Sequence, residues 1–402
     1  MPRHLMSFAL ALLLLYAVAA EAAEYGPGVT DTEIKIGQTM PYSGPASAYA
    51  VVGHVEQAYF DMVNAKGGVN GRKVKLISLD DGYSPPKTVE QTRKLVEQDE
   101  VLAVIGSLGT ATNSAVQKYL NAKKVPQLLI STGATKWNDP KQFPYTTPMV
   151  PSYQMEGRIF ARYLLKNRPD AKLALFYQND DAGKDYIKGV KDGLGEKASK
   201  IIIAEANYLT TDPTIDSQIV TLKSSGADTL FTMASPKFAA QAIRKVAELG
   251  WKPLNYVTNV SSSIKGVLEP AGLENSVGLM TALVQKDPVD TRWDNDEDMK
   301  EFRAFLKEWY PKGDLRDRNN VGGYLTATIT VNILQACGND LTRECVLKRA
   351  TNLVGAKIPL LLPGIELGFT PDNYAPFTKM QIARFDGTNW VSDGQPISAD
   401  DD

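Results

Sequence analysis

The chain of 402 residues carries 44 lysines and arginines against 46 aspartates and glutamates, and 43% of it is hydrophobic. That length suits two domains of ordinary size with real cores. The near-balanced charge argues against a nucleic-acid partner, which favours a basic face, and the dispersed Gly and Pro exclude low-complexity segments.

The first element in chain order is a leader. Arg3 and His4 precede an apolar run from Phe8 to Ala20, and Ala20-Glu21-Ala22 places small residues where a signal peptidase reads. The run is shorter than the ~20 apolar residues of a membrane-spanning helix, so residues 1–22 are expected to be a cleaved signal peptide and the mature protein to begin near Ala23 in the periplasm. No cysteine lies near the cleavage point to carry a lipid anchor, and no later stretch is long and apolar enough to span a bilayer.

A repeating unit follows: short apolar strand, turn, amphipathic helix. Strands are predicted at Ile34–Gly37, Val74–Leu79, Val101–Ile105 and Gln127–Ile130, then at Leu173–Tyr177, Ile201–Ala206, Thr229–Met233 and Tyr256–Thr258. Between them the spacing predicts helices over Val51–Ala65, Thr88–Glu97, Asn113–Ala122, Glu156–Lys166, Asp185–Leu194, Ile215–Ser224 and Phe238–Leu249. Such alternation implies parallel sheets with helices on both faces. Eight units divide best into two open sheets of about four, separated at Lys141–Ser152, where prolines interrupt the pattern and suggest a crossover. After Ser276–Ala282 the chain becomes mostly helical, at Asp296–Trp309, Val321–Ala336 and Thr342–Leu353, and it ends on strand-like Lys379–Phe385 and Thr388–Val391. The two cysteines, Cys337 and Cys345, flank a Gly338-Asn339-Asp340 turn. In an oxidising compartment they can form a local disulfide; two separate buried thiols are the alternative.

Open α/β sheets bind ligands outside the carboxyl ends of their strands. Those ends carry Tyr42-Ser43-Gly44, Gly106-Ser107-Leu108-Gly109-Thr110, Ser131-Thr132-Gly133-Ala134-Thr135, Asn179-Asp180-Asp181, Ala234-Ser235 and Asn259-Val260-Ser261. Any one such segment is an ordinary cap or turn. Six in register on two sheets point to a cleft whose hydroxyls and helix N-terminal amides suit a carboxylate or another small polar group.

Catalysis finds little support. There is no Gly-x-Ser-x-Gly elbow, His-Glu-x-x-His or Walker loop, and the only histidine beyond the leader, His54, sits alone on the first helix. Asp80-Asp81 and Asp180-Asp181 each follow a strand, where Asp usually caps the next helix. Gly67-Gly68-Val69-Asn70-Gly71 lies between a helix and a strand, the reverse of a phosphate cradle. No metal, no cofactor and no enzymatic activity are expected.

Pro41-Tyr42-Ser43-Gly44-Pro45 followed by Tyr49, Asn64-Ala65-Lys66-Gly67-Gly68-Val69-Asn70-Gly71, Val104-Ile105-Gly106 and Ile130-Ser131-Thr132-Gly133-Ala134-Thr135 together resemble the leucine/isoleucine/valine-binding protein family, and in the same order along essentially the whole mature chain. The resemblance implies the type I periplasmic-binding-protein fold: two doubly wound α/β lobes joined by a three-strand hinge that closes on a ligand. It implies a lobe of residues 23–147 plus 281–372 and a second of residues 148–280 plus 373–402. It also implies that Tyr49, Thr110, Gly133 and Thr135 contact the ligand. The hydroxyls of Thr110 and Thr135 are expected to meet on one carboxylate.

The second lobe departs from the family's pattern. Asn259 stands where amino-acid binders carry an acid for the α-ammonium. Ser235 or Pro236 stands where an aromatic closes over the ligand, and Ala182 where many have another aromatic. No Glu or Asp lies between Tyr256 and Lys265, and a buried ammonium without a carboxylate is costly. The function implied is that of a monomeric solute receptor of an ABC importer. It would capture a small carboxylate-bearing solute and pass it to a membrane permease. A branched-chain amino acid or short amide is the alternative ligand, and an exported ligand-sensing domain is the alternative role.

Overall fold

The computed structural model describes residues 25–392 and 394–399. The predicted leader, residues 1–22, lies outside them.

Two sheets organise the chain. The first contains β1 (Glu33–Met40), β2 (Lys73–Asp80), β3 (Ala103–Ile105), β4 (Gln127–Ile130) and β5 (Thr146–Pro148), in the order β2-β1-β3-β4-β5 and parallel throughout. Its connections are α1 (Val51–Ala65), α2 (Pro85–Glu97) and α3 (Thr110–Ala122). The strands are short and apolar because helices cover both faces: Ala103, Val104 and Ile105 are all buried, as is every residue of β4.

The second sheet begins with β6 (Leu173–Gln178), β7 (Ile202–Tyr208), β8 (Thr229–Met233), β9 (Leu254–Val257) and β10 (Met280–Leu283). It is completed by β11 (Lys379–Phe385), β12 (Trp390–Ser392) and β13 (Ile397–Ser398), in the order β12-β11-β10-β9-β8-β6-β7 with β13 paired to β11. Around it lie α4 (Tyr153–Asn167), α5 (Asp181–Leu194), α6 (Asp216–Ser224) and α7 (Pro236–Glu248). Ser152 caps α4 by accepting from Met155 N, and Asp180 caps α5 by accepting from Gly183 N, so the second acidic pair is a cap as its position suggests. The late helices α8 (Glu297–Trp309), α9 (Asn319–Cys337) and α10 (Arg343–Ala350) return to the first lobe, where α9 packs along α1.

Three differences from the sequence reading have physical causes. The sheets hold five and eight strands, because β5 and the four late strands add to the alternating units. The proline-rich break contains β5 on the edge of the first sheet, where Pro148 costs no ladder bond. Residues 281–283, assigned by the resemblance to the first lobe, belong to the second sheet: β10 is parallel to β9 and antiparallel to β11, with Leu283 opposite Gln381.

The chain passes between lobes at Met149–Ser152, at Val284–Lys286 and through the segment after Leu360. The last two crossings run side by side, Leu362 N donating to Val284 O at 3.0 Å and Lys286 N to Leu360 O at 2.8 Å. Cys337, the last residue of α9, is disulfide-bonded to Cys345 in α10. No helix among the described residues is long and apolar enough to cross a membrane.

Candidate ligand-binding cleft

The carboxyl ends of both sheets face a cavity between the lobes, which with its mouth holds about 1010 Å³ of empty space. That is within the range of small-molecule sites. The first lobe contributes Tyr49 from a single 3-10 turn before α1, Tyr83 after β2, Leu108, Gly109 and Thr110 between β3 and α3, and Ser131 after β4. From the second lobe come Tyr153 at the start of α4, Gln178, Ala182, Met233, Ala234, Ser235, Asn259 and Val260. The crossings add Met149, Val150, Pro151, Val284 and Gln285, and the first turns of α9 add Arg318, Asn319, Gly322 and Thr326.

Of the residues singled out by sequence, Tyr49, Thr110, Ala182, Ser235 and Asn259 are brought together here. Gly133 and Thr135 are not: they line a separate cavity with Asn138, Ser152 and Arg158. Thr135 is engaged across the lobe boundary. Its amide and its hydroxyl both donate to Asp185 Oδ2, at 2.8 and 2.9 Å, and the hydroxyl is also 2.9 Å from Ser152 Oγ. Gln154 Nε2 donates to the other oxygen of Asp185. The expectation that Thr110 and Thr135 share one carboxylate therefore fails on geometry. Thr110 Oγ1 is itself paired with Thr132 Oγ1 at 2.6 Å, and Thr132 Oγ1 also accepts from Trp137 Nε1 and the Tyr153 hydroxyl.

Sequence reasoning missed Tyr83, Tyr153, Arg318 and Gly322. Tyr83 holds a left-handed backbone, φ 60°, fixed by Asp81, whose Oδ1 accepts from Tyr83 N. Positive φ at a bulky residue is strained and persists only where its surroundings impose it; here it aims the ring into the cleft. Burial raises the phenols of Tyr49, Tyr83 and Tyr153 above their ordinary value, so all three stay neutral. Thr326 Oγ1 is buried with no hydrogen-bond partner among the described residues.

Contacts bridge the cleft on several sides. The Tyr49 hydroxyl donates to Val260 O at 2.9 Å, Arg318 Nη1 to Ser262 Oγ at 2.5 Å, and Lys136 Nζ lies 2.9 Å from Asp181.

Among the described residues no Asp or Glu lines the cleft. Asp180 and Glu156 hydrogen-bond to lining residues, and both are already engaged. Asp180 accepts from Gln178 Nε2 and Gly183 N. Glu156 accepts from the hydroxyls of Tyr186 and Tyr256 and from Asn259 N, at 2.9, 3.0 and 2.7 Å. The Asn259 side chain donates to Ala282 O at 2.7 Å, so it braces β10 and offers no charge in place of the missing acid. Among the described residues no three His, Cys, Asp or Glu side chains gather as a metal site.

Burial pushes the Glu156 carboxyl up to about 7, against the hydrogen bonds and the Arg318 charge that lower it. Between pH ~4.5 and ~7 the folded protein holds a proton that the unfolded chain has released. Stability is therefore highest below that window and falls as pH rises through it, by about 3 kcal/mol for this group. Glu156→Gln is expected to flatten this decline. Urea denaturation of both proteins from pH 4.5 to 8 measures it, since the other buried acids contribute equally to each; parallel profiles would refute the assignment.

Two α/β lobes, three crossings and a cleft at the strand ends define a type I periplasmic binding protein. The chain belongs to the Periplasmic binding protein family, which matches residues 33–395, and membership makes it a binding protein and not an enzyme. It is 24% identical over 264 residues to a Leu/Ile/Val-binding protein homolog of Brucella suis biovar 1, covering 63% of this chain and 62% of that protein. It thus spans about six tenths of the length of the curated relatives it matches. A branched-chain amino acid ABC transporter structure from Thermus thermophilus with bound valine superimposes with a TM-score of 0.82 at 15% identity, covering 92% of this chain and 97% of that one. A fatty acid ABC transporter substrate-binding protein from Thermomonospora curvata gives 0.76 at 23% identity, covering 95% and 96%. At such identities these likenesses establish the fold alone.

Proposed function

We propose that this protein is the exported solute receptor of an ABC importer, and that its solute is a small, largely apolar organic acid lacking an α-ammonium group. The observation that carries this is the lining itself: among the described residues it has three neutral tyrosines and a set of aliphatic and thioether side chains, one buried arginine, and no carboxylate. An amino acid would bury its ammonium without a counter-charge, at a cost of several kcal/mol. An apolar acid suits the same walls. One structural neighbour holds valine and another is a fatty acid ABC transporter substrate-binding protein, so the fold admits both kinds of ligand, and the lining favours the acid. Delivery to a permease, residence in the periplasm and removal of residues 1–22 belong to the same reading.

Calorimetry with 3-phenylpropanoate, 4-phenylbutanoate and octanoate beside leucine, isoleucine and valine tests it. At least one acid is expected to bind at micromolar Kd or tighter, and the amino acids at least about a hundredfold more weakly. Tight leucine binding, or no binding by any of the acids, would overturn the reading.

A further inference from the structure

The sequence reading placed the ligand's carboxylate against the hydroxyls at the ends of β3 and β4. Thr135 is held by Asp185 and Ser152, and Thr110 Oγ1 shares a hydrogen bond with Thr132 Oγ1. A charge with no direct carboxylate partner lies on another side of the cleft. Arg318, immediately before α9, lines the cleft and is only 9% exposed. Its guanidinium is held by neutral acceptors: Ser262 Oγ on Nη1 at 2.5 Å, Gln285 Oε1 on Nη2 at 3.2 Å, and a long contact of 3.5 Å to Asn259 O. Among the described residues none of its nitrogens comes within 4.0 Å of a carboxylate, and no bond engages Nε. The acids whose fields it feels, Asp287, Glu156 and Asp317, are each tied to other donors: Asp287 to two backbone amides, Glu156 to two phenols and an amide, Asp317 to Ser263 and the start of α9.

A buried guanidinium without an anion is costly, and its planar fork matches a carboxylate in two parallel bonds. We propose that Arg318 binds the carboxylate of the ligand, with the apolar body of the acid lying away from it among Tyr49, Tyr83 and Tyr153. This rests on the organic-acid reading and gives it an orientation. The carboxylate then sits where Arg318 of the first lobe meets Ser262 of the second, so binding the anion also favours the closed arrangement of the lobes.

The test compares each acid of the panel with its primary amide, 3-phenylpropanamide, 4-phenylbutanamide or octanamide, in the wild type, Arg318→Met and Arg318→Gln. Gln keeps neutral hydrogen bonding near Ser262 and Gln285 if Met fails to fold, and circular dichroism checks each variant. The wild type is expected to prefer acid over amide by about a hundredfold, and both variants to bring that ratio close to one by weakening the acid alone. A preference that survives both substitutions would overturn the assignment while leaving the organic-acid reading intact. So would a preference erased by Thr110→Val and kept without Arg318, which would return the carboxylate to the β3–α3 wall. Failure of every acid to bind the wild type would remove both.

Discussion

Gly322→Leu is expected to abolish binding of the organic acids, raising Kd by about a hundredfold or more, without loss of stability in the empty protein. Gly322 lies in the second turn of α9 and lines the cleft, and a Cβ at that position meets no atom within 4 Å. It is a helical glycine whose Cβ position opens on the cleft, so a side chain there neither strains the backbone nor starts in contact with the rest of the fold. In a helix interior, Leu is favoured over Gly by up to ~1 kcal/mol. The added side chain instead enters the volume a ligand would take, four residues along the helix from Arg318, and overfilling a packed site costs typically ~1–3 kcal/mol and sometimes more. Gly322→Ala should weaken binding in the same direction by less. Calorimetry with the tightest acid of the panel and thermal melts of the empty proteins measure the two effects. Unaltered affinity in the Leu variant would mean that the ligand lies elsewhere in the cleft.

Gly133→Ala is expected to do the reverse, lowering stability by about 3 kcal/mol or more. A Cβ on Gly133 would stand 2.0 Å from Pro151 O and 2.8 Å from the Tyr153 ring, and Gly133 O accepts from Tyr153 N at 2.8 Å. The first crossing between lobes thus lies directly on the end of β4, and the obstacle is backbone, which cannot rotate away. One methyl group must push apart the segment that carries Tyr153 into the cleft and Glu156 to its tyrosines. The residue that the family resemblance named as a ligand contact is, in this geometry, a packing contact of the hinge. Urea denaturation without ligand decides the matter: a stable Gly133→Ala protein with altered affinity for the acids would restore the ligand-contact role.

Much of the fold was legible because its signals are local. The helix Val51–Ala65 has the bounds its periodicity predicts, since Lys66-Gly67-Gly68 ends it by chemistry that needs no tertiary partner. Strands covered on both faces read as short apolar runs, and β4 matches its prediction residue for residue. β5 escapes sequence reading because three residues ending in a proline carry no periodicity; pairing of Thr146 with Gln127 and of Pro148 with Ile130 makes them a strand.

The site divides along the same line. Tyr49, Thr110, Ala182, Ser235 and Asn259 follow strand ends, and a parallel sheet brings strand ends to one edge whatever the side chains are, so their places in the cleft were readable from order along the chain. Thr135 follows a strand end equally, yet Asp185, fifty residues on, takes its hydroxyl. Arg318 stands in the run Lys312-Gly313-Asp314-Leu315-Arg316-Asp317-Arg318, which by itself reads as a solvated charged loop. By itself, the sequence determined two sheets built from parallel α/β units, the cysteines able to pair and the absence of an acid after β9, because each depends on neighbours along the chain. That Arg318 is buried in the cleft was decided only by tertiary packing, which sets it against Ser262 of the second lobe, a change in dielectric surroundings that no stretch of chain encodes alone.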